Sequence, residues 1–507
     1  MKHLKTKLLG TLALALALAA SPATTVQAQA PIQELRIGIN TLPRTLEPFF
    51  DTTLAAFSVY RLMFDTLVRV DEAGRPVPWL AESWEVIDDL TWEMKLRQDV
   101  TFHDGTTFDA NDVKYSLDWT LDPENAAPWS GRIALVDGVE VVDDHTVRIT
   151  TDTPWAALLQ GLLVIDMVPD GYYEGGYQPS TAPVGTGRYR FVQWSADDYL
   201  TIEAYEGAWH GDTNVQRVTF RLMPEANTRT SALSAGEIHI AFAIPPEQVP
   251  GLEGNGFSIQ YVPIGQIINV NLAGTRSAEL SDKRVRQAIN HAIDQEAIVD
   301  FIMGGFGQPL DGQLVGSDGL GYDPAIEGYE YDPERARELL AEAGYPDGFT
   351  IPFHGTTGNY PKDREISEAI VGMLAEVGIT AELELLEQAR WAEGLYTNTL
   401  HPMFMSAWIY APAMDAALPF TYFQCVGRSF ADIMCNEEFD DLYTRASQEF
   451  DAVAREALLQ QAGAVLRDEA PLIFLHQLPY IYGLDPRLEN VRFFSDGTID
   501  FTAAELR

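Results

Sequence analysis

Basic residues are scarce in this sequence. It has 34 Lys and Arg against 74 Asp and Glu, a formal net charge of −40 over 507 residues. Phosphate backbones are held by clustered Lys and Arg, so the balance argues against nucleic acid as a partner. Acidity of this degree suits solubility in a salty medium. A preference for cationic ligands is the sharper alternative, and net charge alone does not choose between them. Beyond residue 30 no apolar run reaches the roughly 20 residues that cross a bilayer. The HExxH zinc motif, the GxSxG nucleophile elbow and the GxxxxGK[ST] phosphate loop are all missing. The nine histidines are scattered without ligand spacing, and nothing marks a catalytic carboxylate pair. No catalytic residue, metal ligand or cofactor is therefore assigned.

What is present begins at the N-terminus. Lys2, Lys5 and Lys7 precede an apolar run, Leu8 to Ala20, and a small, polar stretch ends at Val26-Gln27-Ala28-Gln29-Ala30. That order is a secretory signal peptide, and the run is too short for an anchor. Cleavage is expected after Ala28, because Pro31 disfavours a cut after Ala30. No cysteine lies near the cut, so the expectation is a freely diffusing periplasmic protein without a lipid anchor. Cysteine is otherwise limited to Cys425 and Cys435. In an oxidising compartment a pair this close is expected to form a disulfide closing a surface loop. The alternative is two buried thiols. Two sulfurs without a histidine neighbour make a poor metal site.

Helix and strand patterns alternate along the chain. Leu35, Ile37 and Ile39 alternate with polar residues, and Thr91 to Leu96 and Val147 to Thr151 read similarly as strands. Asp109 caps a helix that Asp112 favours electrostatically. Val285, Ile289, Ala292, Ile293, Ile298 and Phe301 predict one helical face over Ser281 to Ile302. Asp332-Pro333 opens a further helix that stops at Gly344. Ile366, Ile370, Met373, Leu374 and Val377 line a third, ended by Gly378 and followed by a strand through Ile379, Ala381, Leu383 and Leu385. A fourth, Val453 to Asp468, is broken by Pro471 before a strand, Leu472 to Leu475. Helix followed promptly by strand is an α/β architecture.

Certain segments are more specific. Leu80-Ala81-Glu82-Ser83-Trp84-Glu85-Val86 leads through Thr91-Trp92 and Leu96-Arg97 to Val100-Thr101-Phe102-His103-Asp104-Gly105-Thr106-Thr107-Phe108 and Val113-Lys114-Tyr115-Ser116. Pro183-Val184-Gly185-Thr186-Gly187-Arg188-Tyr189, Ala232-Leu233-Ser234-Ala235-Gly236-Glu237-Ile238, Arg284-Val285-Arg286-Gln287-Ala288-Ile289 and Tyr331-Asp332-Pro333-Glu334 follow in order. In this series the chain resembles the extracellular solute-binding proteins of the peptide, nickel and opine class (family 5), which serve ATP-driven (ABC) importers. The resemblance implies a two-lobed periplasmic-binding-protein fold with an extra inserted domain, three domains in all, and a cleft between the lobes. The expected division is a signal peptide over 1–28 and a discontinuous lobe I over 29–60, 186–270 and 480–507. The inserted domain takes 61–185 and lobe II takes 271–479. Most of the matching residues read as structural: His103 stands beside an Asp-Gly turn, Gly185 and Gly187 read as a close backbone approach, and Arg284 and Arg286 as salt-bridged.

A cleft that encloses a ligand needs aromatic walls and a few placed polar groups. Ser406 to Asp415 is the best local candidate, with Trp408, Tyr410 and Asp415 as ligand contacts. Trp408 reads equally well as plain core. The resemblance adds Thr41 and Leu42 from the turn after the first strand. Asn269 and Asn271, near the crossing between lobes, read as hinge or ligand residues. Trp391, beside Arg390, offers a stacking face or belongs to a surface helix. Dipeptide and oligopeptide binders of the family carry an aspartate three residues after the corresponding tryptophan, where it meets the peptide's amino terminus. Here that position is Ala411, a departure that tells against ordinary peptides. The expected function is capture of a peptide or peptide-like small solute for permease subunits of an ABC importer, by a monomer that is not membrane-embedded and not an enzyme. The alternatives are a sugar, opine or metal-chelate binder, a periplasmic chaperone or receptor, and a hydrolase.

Overall fold

The computed structural model describes residues 31–507 apart from 52, 72–73, 412 and 426–432. The signal peptide read at 1–28 lies outside the described residues. Leu35, Ile37 and Ile39 are wholly buried on the strand Leu35–Ile39. That strand lies parallel to Arg217–Leu222 on one side and Ile240–Ala241 on the other. Tyr199–Ala204 and Tyr189–Ser195 extend the same edge in antiparallel fashion. On the other side two long strands, Ser258–Leu272 and Leu472–Leu484, carry the sheet across to Met403–Ile409, Phe349–Thr356 and Ile379–Leu386.

The apolar residues divide accordingly, and the chain folds into two lobes. One core gathers Ile37, Phe220 and Phe501 with Trp92, Met94 and Phe102, so the first lobe and the inserted residues share packing. The insertion is built on a four-stranded antiparallel sheet. Its helix Ala110–Leu121 starts at a capping box in which Asp109 and Asp112 each accept the other's end of the first turn. Beyond the crossing strands the sheet is covered on both faces. Met403 and Met405 enter one core with Ile289, Leu340 and Ile370. Phe404 and Trp408, pointing the other way, enter a second core with Phe420, Leu459 and Phe474.

The crossing is locally weak. Ser258 to Pro263 pairs with Leu484 to Pro479, the register slips between Pro263 and Ile267, and pairing resumes from Ile267 to Asn271. Pro263 faces Pro479, and neither can donate an amide to the ladder. Beside it Gly265 leaves no room for a side chain, since a Cβ there would lie 2.6 Å from Ala411 N.

Several expectations are met by the elements. Asp332 caps Pro333–Glu342, accepting from Arg335 N. Asp363–Glu376 ends before Gly378, which holds φ +92°. Arg284 pairs with Asp282 at 2.5 Å and Arg286 with Glu469 at 2.7 Å. Cys425 and Cys435 form a disulfide. Two readings change. The helix expected over Ser281 to Ile302 is Lys283–His291, a short turn Gln295–Ala297 and a π-turn Ile298–Ile302. The wider turn alters the phase, and Phe301, expected on the buried face, is 86% exposed. The strand expected at Leu472 to Leu475 continues to Leu484, because it spans both lobes.

Gly185 and Gly187 meet the helix Leu54–Met63 end-on. A Cβ on either would collide with the Met63 backbone, and one on Gly187 would also lie 2.6 Å from Leu62 O. His103 holds the same segment: its Nε2 donates to Gly187 O at 2.9 Å while Nδ1 accepts from Gly185 N at 3.3 Å.

Candidate functional site

A cavity of about 610 Å³ lies against the crossing, walled by Gln260 to Pro263 of the first long strand. The first lobe and its insertion supply Arg61, Arg69, Asp71, Trp79, Arg188 and His210, and the C-terminal segment supplies Val491 to Asp496. The second lobe supplies Asp318 and Met414. Both lobes therefore reach it.

The first-lobe wall is organised on Asp65, which is 1% exposed. Its Oδ1 accepts from Trp79 Nε1 at 2.7 Å, His210 Nε2 at 3.1 Å and Arg69 Nη2 at 3.5 Å. Its Oδ2 accepts from Thr186 Oγ1 at 3.0 Å and Trp209 Nε1 at 3.1 Å. Burial alone would raise this carboxyl; the His210 contact, Arg69 and Trp79 overcome it and hold the group well below the usual carboxylate range. Arg61 is buried beside it and pairs with Asp166 at 3.2 Å. Burial pushes the Asp166 carboxyl up to about 6 despite Arg61. Arg69 lies over the Trp79 ring at 5.1 Å.

The second-lobe wall is organised on Tyr410. This side chain is fully buried and its hydroxyl donates to Asp318 Oδ1 at 2.7 Å. Gln477, from the second long strand, donates to the Tyr410 hydroxyl at 2.7 Å and to Asp318 Oδ1 at 3.2 Å. Burial, and then the adjacent carboxylate, raise the Tyr410 phenol well above its ordinary value.

The residues singled out from sequence are not gathered in one place. Tyr410 stands behind the cavity wall through Asp318. Trp408 is core, stacked on Tyr422 at 4.6 Å. Asp415 is 2% exposed and paired with Arg455 at 2.8 Å. Trp391 packs against the same core and donates Nε1 to Met405 O at 2.9 Å. Asn271 is buried between strands and donates to Ser406 Oγ at 2.6 Å. Asn269 joins that ladder; turned with Oδ1 to Trp408, it accepts from Nε1 at 3.0 Å. Leu42 lies in the first core, and Thr41 is exposed on the turn beside it. The first-lobe wall residues Arg61, Arg69 and His210, and Asp318 opposite, carried no signal in the sequence. Arg188 and Tyr189, by contrast, fell within a recognised segment.

The structure also brings together histidines that looked scattered. His354, Glu384 and His401 place ligand atoms within 4.8 Å of one another. His354 and Glu384 are cross-strand neighbours, and the two rings stack at 3.6 Å. His354 Nδ1, however, accepts from His401 N at 2.9 Å, so Nε2 carries the proton and faces Glu384 Oε2 at 3.5 Å. A neutral imidazole has one lone pair, and here the amide takes it.

No helix among the described residues is long and apolar enough to cross a membrane. Residues 75–430 match the family model described as bacterial extracellular solute-binding proteins, family 5 middle. A glutathione-binding protein, GsiB, of Pectobacterium atrosepticum is 28% identical over 490 residues, covering 93% of each chain. Among solved structures, HbpA2 of Haemophilus parasuis superposes with TM-score 0.82 at 24% identity, over 94% of this chain and 100% of that one. The periplasmic binding protein DppA of Helicobacter pylori, in complex with peptide STSA, gives 0.75 at 24% identity, over 94% and 98%. The chain belongs to family 5 of the bacterial extracellular solute-binding proteins, the substrate-binding components that serve ABC importers.

Proposed function

We propose that this family 5 protein captures a small peptide-like solute in the cavity at the crossing and presents it to its permease, with glutathione as the first candidate. The observation that carries the reading is the cavity itself, walled by both lobes and by the strand that joins them. A solute there contacts both lobes at once, which is the condition for it to favour one lobe arrangement over another. Glutathione comes first because the curated relative that matches over 93% of the chain is named for it. The mature protein is exported by the N-terminal segment, carries no lipid at its start and acts by binding rather than by catalysis. Lobe I is proposed as 29–60, 186–270 and 480–507, the inserted domain as 61–185 and lobe II as 271–479. The slip in pairing between Pro263 and Ile267 supports a hinge there.

The test is calorimetric titration of the full mature chain with glutathione and with a panel of unmodified di- and tripeptides. Saturable one-to-one binding is expected, with a midpoint of thermal unfolding that rises with solute concentration by linkage. Silence across the whole panel, together with nothing peptide-like co-purifying by mass spectrometry, overturns the reading.

A further inference from the structure

Phe450 is a second-lobe side chain that packs outside its own lobe. It stands in the turn between the helices Glu437–Gln448 and Ala452–Glu469. Those helices place Phe439, Leu442 and Ala446 from one, and Leu458 and Leu459 from the other, in a second-lobe core. Phe450 instead packs against the core that the first lobe shares with the insertion. Its ring meets Trp92, on the insertion strand Thr91–Leu96, at 5.6 Å and 62°. Trp92 is only 4% exposed there, and Phe450 is half-buried. The backbone repeats the contact at Ser447. Its carbonyl is one of the end carbonyls of Glu437–Gln448 that no helical amide reaches, and it accepts from Ala156 N of the insertion at 2.8 Å. Arg75 and Glu456 also face each other at 3.6 Å, but both are partly exposed and such a pair adds little. Trp92, Ala156, Ser447 and Phe450 do not line the solute cavity.

We infer that this turn is a latch: Phe450 seated against Trp92, with Ser447 O on the Ala156 amide, draws the insertion and the second lobe together with or without solute. The contact exists only while the two stand near each other. Parting them returns the Phe450 ring and a face of Trp92 to water, and it leaves the Ser447 carbonyl without its amide. An apolar contact suits the task, because a chain of net charge −40 repels itself as its parts approach. The latch biases the lobes and does not lock them. A single aromatic contact shifts an equilibrium about tenfold, whereas a complete switch needs roughly ten-thousandfold. Solute supplies the rest, and its apparent affinity is the intrinsic affinity scaled by the fraction of molecules already near. The insertion thus sets affinity from a place the solute does not touch. The effect on affinity rests on the reading of the cavity as the solute site; the latch itself does not.

The Ala156 amide is the reporter, because its hydrogen bond crosses from the insertion to the second lobe. Hydrogen exchange is measured on the full mature chain, in the parent protein and in Phe450→Ala and Phe450→Leu. The solute-free parent is expected to protect the Ala156 amide, and glutathione or trialanine to protect it further. Phe450→Ala is expected to speed this exchange about tenfold without solute, while the amides of Thr91–Leu96 keep their protection. Phe450→Leu, which keeps apolar bulk, is expected to recover most of it. By calorimetry, Phe450→Ala is expected to weaken both solutes about tenfold and by the same factor, since the residue touches neither. An unprotected Ala156 amide in the solute-free parent overturns the latch, and that measurement needs no variant to fold. Unchanged Ala156 exchange in Phe450→Ala overturns it as well. So does a loss of protection that spreads through Thr91–Leu96, which marks loosened packing, or an unequal loss of affinity, which marks a solute contact. If neither solute binds while Ala156 exchange behaves as expected, the reading of the cavity falls and the latch stands.

Discussion

His476 sits wholly buried on the second long strand, and neither ring nitrogen has a hydrogen-bond partner among the described residues. Burial lowers its folded pKa to about 4, against about 6.5 for the free side chain. The unfolded chain therefore binds a proton more readily than the folded chain between these values. The neutral ring's contribution is fully present above pH 6.5 and is lost as pH falls toward 4. His476→Phe keeps the flat shape and removes the titration. The expected outcome is a loss of stability between pH 7.5 and pH 5 that is about 2 kcal/mol smaller than in the parent protein, read by urea unfolding at the two pH values. An unchanged difference sinks the assignment. The same scale shows why the site was hard to read from sequence. Trp408 and Asp415 looked like contacts because aromatic and acidic residues line clefts, yet the core can use a tryptophan and an ion pair can use an aspartate. Asp318 drew no attention, because Tyr410 and Gln477, which hold its carboxylate, are brought to it only by the fold.

Elements were far more legible, because their signals are local. Asp109, Asp332 and Gly378 mark helix ends through capping and positive φ, and all three do so in the structure. Phe301 was misplaced for an equally local reason: a π-turn obeys a different period from the helix it follows. The crossing strands were only half visible, since a strand that serves two lobes gives the same short-range pattern as one that serves a single lobe. Gly185 and Gly187 were readable as a close approach, and the partner they approach is the end of the helix Leu54–Met63. Gly187→Ala drives a methyl into backbone, which cannot rotate away as a side chain can. A loss of about 1–3 kcal/mol is expected on chemical unfolding. Because the segment continues to Arg188 on the cavity wall, solute affinity is expected to fall as well. A variant as stable as the parent shows that the helix end yields freely.

At the scale of the whole molecule, the question is how the lobes meet across the cavity. Gly74, on the insertion, approaches the second lobe closely: a Cβ there would lie 2.7 Å from Met414 O and 3.0 Å from Asp318 O. Those two residues line the cavity, as do Val70 and Asp71 on the near side of the same contact. Nearby, Arg75 reaches Glu456 at 3.6 Å and Ala156 N donates to Ser447 O at 2.8 Å, so this edge of the insertion bears on the second lobe at several points. Glycine is needed at 74 twice over, because φ there is +73°. Gly74→Val carries a conformational cost of about 1–2 kcal/mol within its own loop. That cost is the same whether the lobes stand near or apart, so it cancels from the equilibrium between them. What does not cancel is the side chain's volume, which opposes only the near arrangement. A solute that binds both lobes shifts this equilibrium by its differential affinity and no more. Small-angle scattering of the parent protein is therefore expected to show a smaller radius of gyration with saturating solute than without it. Gly74→Val is expected to show a reduced contraction and roughly tenfold weaker binding, a change of about 1.4 kcal/mol. Full contraction and unchanged affinity in the variant place the moving contact elsewhere. A parent protein that binds solute without contracting removes lobe closure from the mechanism altogether, and leaves the cavity as a site formed in advance of its ligand.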